Sequence, residues 1–570
     1  MIVSSQQVVF SSLMTAAFLA SILTEVRAQD HCVVASVHPL ATDAGLAAYS
    51  SGGNALDAAV ATALTLGVVD NHNSGLGGGC FILIRKPDGS LLAIDGREKA
   101  PAAATRDMYL RDGKAVPELS TNGPLAVAVP GALAAYAHAL KSCGKKELAE
   151  LILPAADIAE QGFPIDRIYA GKLKKTAKFL AVYPGSRAAL LKADESALKE
   201  GETLRQPDLA KSYRHIAEKG PDWFYRGEFA AEVGKWMVAN DGIVTAADFA
   251  AYKCVEREPL VTKYRDWTIV GFPPPSSGGI HVAQILNILE PFDVAAEFKN
   301  NQLQGTHLMV EAMKLAFADR AYWLGDSDFV EVPRGLVDKE YAKELAKRID
   351  LKKASEVPTH GDPPRASQDI FGKHTTHIAA ADSEGNWVAI TATVNTSFGS
   401  KVIVPGTGIL LNDEMDDFSS QPGVPNAFGL IGAENNSIAP GKRPLSSMSP
   451  TIVLDSEDQP ILTVGAAGGP KIITQVLLAL VGTLDLKKDL QAAIATPRFH
   501  HQWQPDSVLI EETMPKEMIE SLKDYGHKIE LIDVSGITQG IALSPDGELQ
   551  AVHDPRIPGK AASVERAKAE

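Results

Sequence analysis

The 570-residue chain has no excess of basic residues. Its 55 lysines and arginines stand against 70 aspartates and glutamates, for a formal net charge of −15. No long basic run offsets that balance, which argues against nucleic acid and anionic membrane surfaces as partners, since both select clustered Lys and Arg. Cysteine is scarce: Cys32, Cys80, Cys143 and Cys254 are all there are. None lies within metal-site spacing of another, so no cysteine-built metal centre is expected. No internal repeat of solenoid length is evident, which sets aside the stacked-repeat architectures. A long hydrophobic run is missing too. The apolar stretch Val8 to Leu23 is shorter than the ~20 residues a membrane span needs.

That stretch reads as an export signal. Val26-Arg27-Ala28 places small residues at the two positions a signal peptidase reads, so a cut is expected after Ala28. No Lys or Arg precedes the apolar run, and a single uncleaved N-terminal anchor is the alternative. Cys32 follows Gln29-Asp30-His31 and is not a lipobox cysteine. Residues 1–28 are therefore read as a signal peptide, with a periplasmic or secreted protein and no stable membrane span. Export permits disulfides. Sequence cannot choose among the pairings, or between pairing and buried thiols; Cys32 and Cys80 only flank segments that can pack together.

What is present is a large core. Hydrophobic residues make up 45% and charged residues 22% of the chain. Gly53 to Val69 is Ala-rich, broken mainly by Asp57, and predicts a buried helix. It runs into Asn73-Ser-Gly-Leu-Gly-Gly-Gly79 and the strand-like Phe81-Ile-Leu-Ile84. A dinucleotide loop needs strand, then glycines, then helix. Here the helix comes first, so the glycines read as a tight turn that lets a strand approach a site. Residues 105–250 are more polar and helix-rich, with amphipathic stretches at Leu151 to Gln161 and Asp208 to Lys219. Pro273-Pro-Pro-Ser-Ser-Gly-Gly279 is a rigid loop before a helix at Ile280 to Leu289. Lys352 to Gln368 is polar and aperiodic and reads as exposed and mobile.

From Thr375 the character changes. Thr375 to Asp382 and Asn386 to Asn395 are rich in β-branched and small residues, separated by Ser383-Glu-Gly385. A three-residue loop with Gly last, in the left-handed conformation, is a common hairpin connection. That loop pairs Asp382 with Asn386 and sets Thr393 opposite Thr375. Pro460 to Val464 predicts a strand, Gly465-Ala-Ala-Gly-Gly469 a bare turn, and Pro470 to Leu480 a helix with Pro near its first position. Glycine N–H groups at a helix N-terminus are ready donors for an oxyanion. No His and Asp set stands ready to activate Thr375 as in a serine hydrolase. Its own α-amine could do so, but only if the chain is cut before it.

The motifs together closely resemble γ-glutamyltransferase of the bacterial type, a member of the N-terminal nucleophile hydrolases. The resemblance extends over nearly the whole mature chain. It is carried by Asp95-Gly-Arg-Glu-Lys-Ala-Pro101, Pro273 to Ile280, Ala318-Asp-Arg-Ala321, Thr375-Thr-His377, Asn412-Asp-Glu-Met-Asp-Asp-Phe-Ser419, Lys442 to Pro450 and Pro497-Arg-Phe-His-His-Gln-Trp503. It implies an α/β (α+β) fold, a four-layer αββα sandwich with two antiparallel sheets. It also implies self-cleavage at His374–Thr375 into a large subunit, 29–374, and a small subunit, 375–570, that stay together as one unit. A freed α-amine, with an unperturbed pKa of about 7.7–8.0, can then serve as general base for the threonine hydroxyl.

Residue by residue, the resemblance makes Thr375 the nucleophile and Thr393 its orienting neighbour. Arg97, Ser446 and Ser447 hold the α-carboxylate of the γ-glutamyl group. Glu414 and Asp417 hold its α-ammonium, Asn395 contacts substrate, and Gly468 and Gly469 form the oxyanion hole. Pro422 to Leu430 matches a lid loop, with Phe428 where several bacterial relatives carry a Tyr that bonds the asparagine below. The lid is then either looser or closed by packing. Gly465-Ala-Ala-Gly-Gly469 stands for a more usual Gly-Ser-Pro-Gly-Gly, and His374 replaces a Gln before the cut bond. His374, His377, His500 and His501 match a metal cluster only by count, and structural roles are favoured.

The activity implied is transfer of a γ-glutamyl group from glutathione or a related γ-glutamyl amide to water, an amino acid or a peptide, with no metal or organic cofactor. The nearest alternative is an acylase of the same superfamily acting on a glutaryl-cephalosporin. Such a donor lacks the ammonium that Glu414 and Asp417 would hold. An uncleaved, non-catalytic binding protein is the alternative of another class.

Overall fold

The computed structural model describes residues 31–364 and 376–565. The expected signal peptide and the His374–Thr375 bond lie outside them. Two sheets form the centre. A seven-stranded antiparallel sheet runs, edge to edge, Lys560–Glu565, His31–Ser36, Thr376–Ala381, Trp387–Thr393, Gly79–Arg85, Leu91–Gly96 and Val255–Arg257. A six-stranded antiparallel sheet runs Leu549–Val552, Ile537–Leu543, Pro460–Ala467, Thr451–Leu454, Trp267–Gly271 and Leu260–Tyr264.

The period-two geometry of a strand explains the layers. Phe81, Leu83, Ala379, Ala381 and Trp387 point from the first sheet into a shared core with Val270, Phe272, Ile452 and Ile541 of the second. Their neighbours Ile82, Ile84, Ile378, Ala380, Val388 and Ile390 point the other way, against helices that include Ala55–Val69 and Leu148–Gln161. The far face of the second sheet does the same. Ile269, Val453, Leu462 and Val464 meet helices Ser277–Leu289, Gln302–Trp323 and Lys471–Leu484. Both faces of each sheet are covered, so the central strands read as continuous apolar runs. The result is the expected αββα sandwich.

The Ala55–Val69 helix is buried along all 15 residues. Asp57, which interrupts its apolar sequence, is used at its start. Asn54 accepts the N–H groups of Leu56 and Asp57, and Asp57 accepts that of Asn54, a reciprocal cap that satisfies donors the first turn leaves open. The glycine run that follows lets chains touch. A Cβ on Gly78 would sit 1.8 Å from the carbonyl oxygen of Thr393, so only glycine fits beside the end of that strand.

The hairpin register is as expected. Over the described residues Ala381 faces Trp387 and Thr376 faces Ala392. Asp382 N–H donates to Asn386 O at 3.1 Å, and Gly385 has φ 93°. Two local expectations are corrected. The Pro460 strand continues through Gly465 to Ala467, because Gly465, Ala466 and Ala467 pair with Gln539, Thr538 and Ile537; the turn is shorter than expected. Residues 352–364 are fastened down. Ala354 N–H donates to Tyr525 O, Trp503 Nε1 to Val357 O, and Gly361 N–H to Asp319.

The four cysteines form no disulfide, and Cys32 and Cys80 are buried. Among the described residues no helix is long and apolar enough to cross a membrane.

Candidate active site

Arg97 follows directly on the Leu91–Gly96 strand and is fully buried. Its Nη1 donates to Glu414 Oε1, and lies 3.3 Å from Glu98 Oε2. Its Nη2 donates to Asp417 Oδ2 at 2.6 Å, and its Nε to Pro444 O at 3.2 Å. The planar guanidinium suits this fork of two carboxylates. Burial works against its charge, but Glu414, Glu98 and Asp417 more than offset that and raise its pKa. Glu414 and Asp417 sit on one short 3-10 turn, Glu414–Asp417, which brings both acids to one side. Burial pushes the Glu414 carboxyl well above the usual range and Glu98 up to about 7, with Arg97 opposing in both cases.

Several polar atoms in this region are buried with no hydrogen-bond partner among the described residues. They are Glu414 Oε2, Asp417 Oδ1, Ser447 Oγ, Asn395 Oδ1 and Arg320 Nη2. Polar groups without partners are costly in a protein interior and point to a ligand. Here they comprise both donors and acceptors.

Thr393 ends its strand, and its Oγ1 accepts the N–H of Asn395 at 2.7 Å. Asn395 is held at φ 76°, a conformation that L residues with side chains rarely adopt. Asp413 fixes it there: Asn395 Nδ2 donates to Asp413 O at 3.0 Å, and Thr396 N–H to Asp413 Oδ1 at 2.9 Å. Backbone strain of this kind collects at functional sites. Asp413 thus joins Asn395 to the turn that carries Glu414.

Gly468 and Gly469 lie between the Pro460–Ala467 strand and the Lys471–Leu484 helix, with φ 137° and 66°. Pro470 stands at the cap rather than inside the first turn. The two glycines, Asn395, Phe428, Asn73 and Lys172 line one cleft of about 590 Å³. The Phe428 ring covers Gly469, where an added Cβ would lie 2.9 Å from Cδ1. The loop that carries Phe428 is closed on itself. Asn426 Oδ1 accepts the N–H groups of Phe428 and Leu430, Ala427 N–H reaches Asp416, and Gln502 Nε2 donates to Phe428 O.

Ser446 and Ser447 are buried on the loop before strand Thr451–Leu454. Ser446 O accepts the N–H of Ser277, and Ser446 Oγ accepts that of Met448 at 3.3 Å. The start of helix Ser277–Leu289 therefore clamps the loop that carries the serine pair. Thr375 and His374 are outside the described residues. The other three histidines of the count-based cluster are separately engaged: His377 with Thr391, His500 with Thr474 and Gln502, and His501 with Asp506. Burial lowers His377 and His500 to about 3.

Sequence reasoning gave no role to three residues that structure this region. Arg320 is fully buried, donates to Ser277 Oγ at 3.2 Å, and is lowered to about 10 by burial despite Asp417. Gln475 Nε2 donates to Ala467 O, and Arg498 Nη1 to both Gln475 Oε1 and Gly536 O, holding the backbone that presents Gly468. The signal for Gln475 was there to read: it is the one amide in Ile472 to Leu480, a run that is apolar apart from it and Thr474.

The profile described as Gamma-glutamyltranspeptidase matches residues 41–564. The glutathione hydrolase proenzyme of Escherichia coli (strain K12) is 44% identical over 527 residues, covering 92% of this chain and 90% of its own. The crystal structure of cephalosporin acylase from Bacillus halodurans superposes with TM-score 0.83 at 29% identity, over 94% of this chain and 96% of that one. Helicobacter pylori gamma-glutamyltranspeptidase does so with TM-score 0.54 at 41% identity, over 55% of this chain and 90% of that one. With the profile spanning nearly all of the sandwich and a relative this similar over most of both lengths, the chain belongs to the gamma-glutamyltranspeptidase family.

Proposed function

We propose that the chain is a self-processing γ-glutamyltransferase and glutathione hydrolase, cut between His374 and Thr375 into residues 29–374 and 375–570. The observation that carries this reading is the buried cluster around Arg97. A γ-glutamyl group presents an α-carboxylate and an α-ammonium side by side. Arg97 with Ser446 and Ser447 offers donors for the first. Glu414, Asp417 and Asn395 Oδ1 offer acceptors for the second. Arg97 pairs with one oxygen each of Glu414 and Asp417, and their other oxygens, with Ser447 Oγ and Asn395 Oδ1, keep bonding capacity for such a group. A zwitterion exchanges these contacts for its own without leaving a buried charge unpaired.

In this reading the chemistry starts at Thr375. Its hydroxyl attacks the His374 carbonyl in the precursor, and the peptide C–N bond breaks as the nitrogen takes a proton and becomes the free α-amine. Water then hydrolyses the resulting ester to restore the hydroxyl and leave His374 as a carboxylate. That amine then takes the hydroxyl proton as Thr375 attacks the γ-carbonyl of glutathione or another γ-glutamyl amide. Gly468 and Gly469 N–H groups receive the oxyanion at the cleft. The amine of the leaving group departs, and water or an acceptor amino acid or peptide releases the γ-glutamyl group. Thr393 orients the nucleophile, and Phe428 closes the cleft. The partial coverage by the Helicobacter pylori chain, 55% of this one, supports the two-chain form. An export signal over residues 1–28 and a periplasmic or secreted location complete the reading.

The cephalosporin acylase likeness favours a second reading, a glutaryl-amide hydrolase. The charge balance argues against it. Glu98, Glu414 and Asp417 are buried against the one Arg97 guanidinium, surroundings that welcome an ammonium and disfavour a further carboxylate. Intact-mass measurement with N-terminal sequencing, followed by turnover of glutathione and of a glutaryl amide, tests the proposal. A Thr375 N-terminus and glutathione turnover are expected. An uncut chain, or activity on the glutaryl amide alone, would overturn it.

A further inference from the structure

Away from the cleft, the Gln302–Trp323 helix carries His307 and Glu311 one turn apart, on the same face. His527, just beyond the Lys516–Asp524 helix, faces them. One ligand atom from each lies within 4.8 Å of the other two, and all three residues are buried. His307 Nδ1 is 2.7 Å from His527 Nε2. His307 Nε2 stands 2.7 Å from the carbonyl of Asp350, so Nε2 carries the proton and the Nδ1 lone pair points at His527. Glu311 Oε2 accepts the N–H of Ser355 at 2.9 Å, while Oε1 accepts no hydrogen bond among the described residues and is met only by the charge of Lys314, 3.1 Å away.

This is how metal ligands are prepared. A ligating imidazole gives its other N–H to a backbone carbonyl, and a ligating carboxylate is steered by a hydrogen bond on its second oxygen. Two imidazoles and one carboxylate with a fourth position left over suit zinc. We propose that His307 Nδ1, Glu311 Oε1 and His527 Nε2 form a binding site for one zinc ion. On binding, His527 takes its other neutral tautomer, with the proton on Nδ1, so that both facing nitrogens offer lone pairs. None of the three residues lines the cleft that holds Gly468 and Gly469. His307 and Glu311 precede the proposed cut and His527 follows it. The ion therefore links the two chains, and only that linking role rests on the functional reading above.

Lys314 supplies a test of opposite sign. Its Nζ lies 3.1 Å from Glu311 Oε1 and 3.6 Å from Asp506, and donates to Ser355 O at 2.9 Å. The ammonium neutralises Glu311 when no ion is bound, and so competes with one. Removing it strengthens a genuine site here and leaves an unrelated surface site unchanged.

The experiment uses the untagged full-length protein, stripped with a chelator and titrated with zinc chloride by calorimetry. One equivalent per chain is expected, with a rise in Tm on saturation. His527→Gln and Glu311→Gln are expected to weaken binding by more than the ~10–100-fold that loss of an orienting contact costs. Lys314→Gln is expected to tighten it by about tenfold or more, since a unit charge a few ångströms away is removed. Cobalt in place of zinc should give the visible absorption bands of a four-coordinate site. Should the His527 variant not fold, the cobalt spectrum and the Lys314 variant decide. No zinc binding by the wild type, or equal affinity in all three variants, would overturn the proposal.

Discussion

Arg97 shows what a single residue contributes and what a motif leaves out. The sequence around Asp95-Gly-Arg-Glu marks it as a carboxylate grip by resemblance, but nothing local says that its free-state partners are Glu414 and Asp417, more than three hundred positions away. Replacing the fork by a single ammonium in Arg97→Lys cannot meet both acids and a substrate carboxylate. A charge-assisted hydrogen bond contributes about 1.5–3 kcal/mol, so KM for glutathione should rise by roughly 10- to 100-fold; an unchanged KM in steady-state kinetics would remove Arg97 from the grip. Asp70 gives a second prediction at this scale. It is bonded by Asn73 Nδ2 at 3.0 Å and lies 3.5 Å from Thr376 Oγ1, and burial raises it to about 7 against Lys172 and Asn73. A carboxyl raised from about 3.9 unfolded to about 7 folded favours the folded state at low pH. That contribution is lost as pH climbs through the folded value. Buried histidines such as His377 and His500 act in the opposite sense below their unfolded pKa, so the wild-type slope mixes both. The difference is clean. Asp70→Asn should gain stability relative to wild type between pH 5 and 8 in parallel thermal melts, and a constant offset across that range would show that Asp70 does not titrate there.

Elements set by near neighbours were legible in the sequence, and those completed by distant strands were not. The hairpin Thr376–Thr393 follows from its loop, because Ser383-Glu-Gly385 fixes the register within a few residues. The Ala55–Val69 helix follows from composition and a reciprocal cap. The full length of the Pro460 strand is not legible locally, because Gly465-Ala-Ala has little strand preference of its own; its ladder comes from Ile537–Leu543, some seventy residues on. Residues 352–364 looked mobile because their restraints are backbone groups tied to Tyr525, Trp503 and Asp319, which leave no trace in local pattern. A lid at Pro422 to Leu430 was an expectation of the resemblance, and the packing of that loop was not legible. In the structure the Phe428 ring packs over Gly469, and Asn395 Oδ1 keeps no partner among the described residues. Phe428→Tyr adds a hydroxyl within the same cleft. One net hydrogen bond of about 1 kcal/mol should lower KM for a γ-glutamyl donor by about fivefold. Equal KM values would mean that packing alone sets the lid.

At the scale of the whole molecule, the proposed cut falls within an architecture that cannot be divided there. Residues on the two sides of His374–Thr375 alternate through the first sheet. His31–Ser36 pairs with Thr376–Ala381 and Lys560–Glu565, and Gly79–Arg85 pairs with Trp387–Thr393. The second sheet is crossed once more, where Trp267–Gly271 pairs with Thr451–Leu454. The core between the sheets mixes both sides, with Phe81, Leu83 and Phe272 against Ala379, Trp387, Ile452 and Ile541. Separating the chains would expose unpaired strand edges and this apolar surface together, which is the signature of an obligate interface rather than of two docked domains. The processed protein should therefore co-elute as one species in native size-exclusion chromatography. It should melt in a single transition, and resolve into two chains only in denaturant. Dissociation under native conditions, or two well-separated melts, would mean that the segments behave as independent domains and that the interleaved ladders do not govern the stability of the cut form.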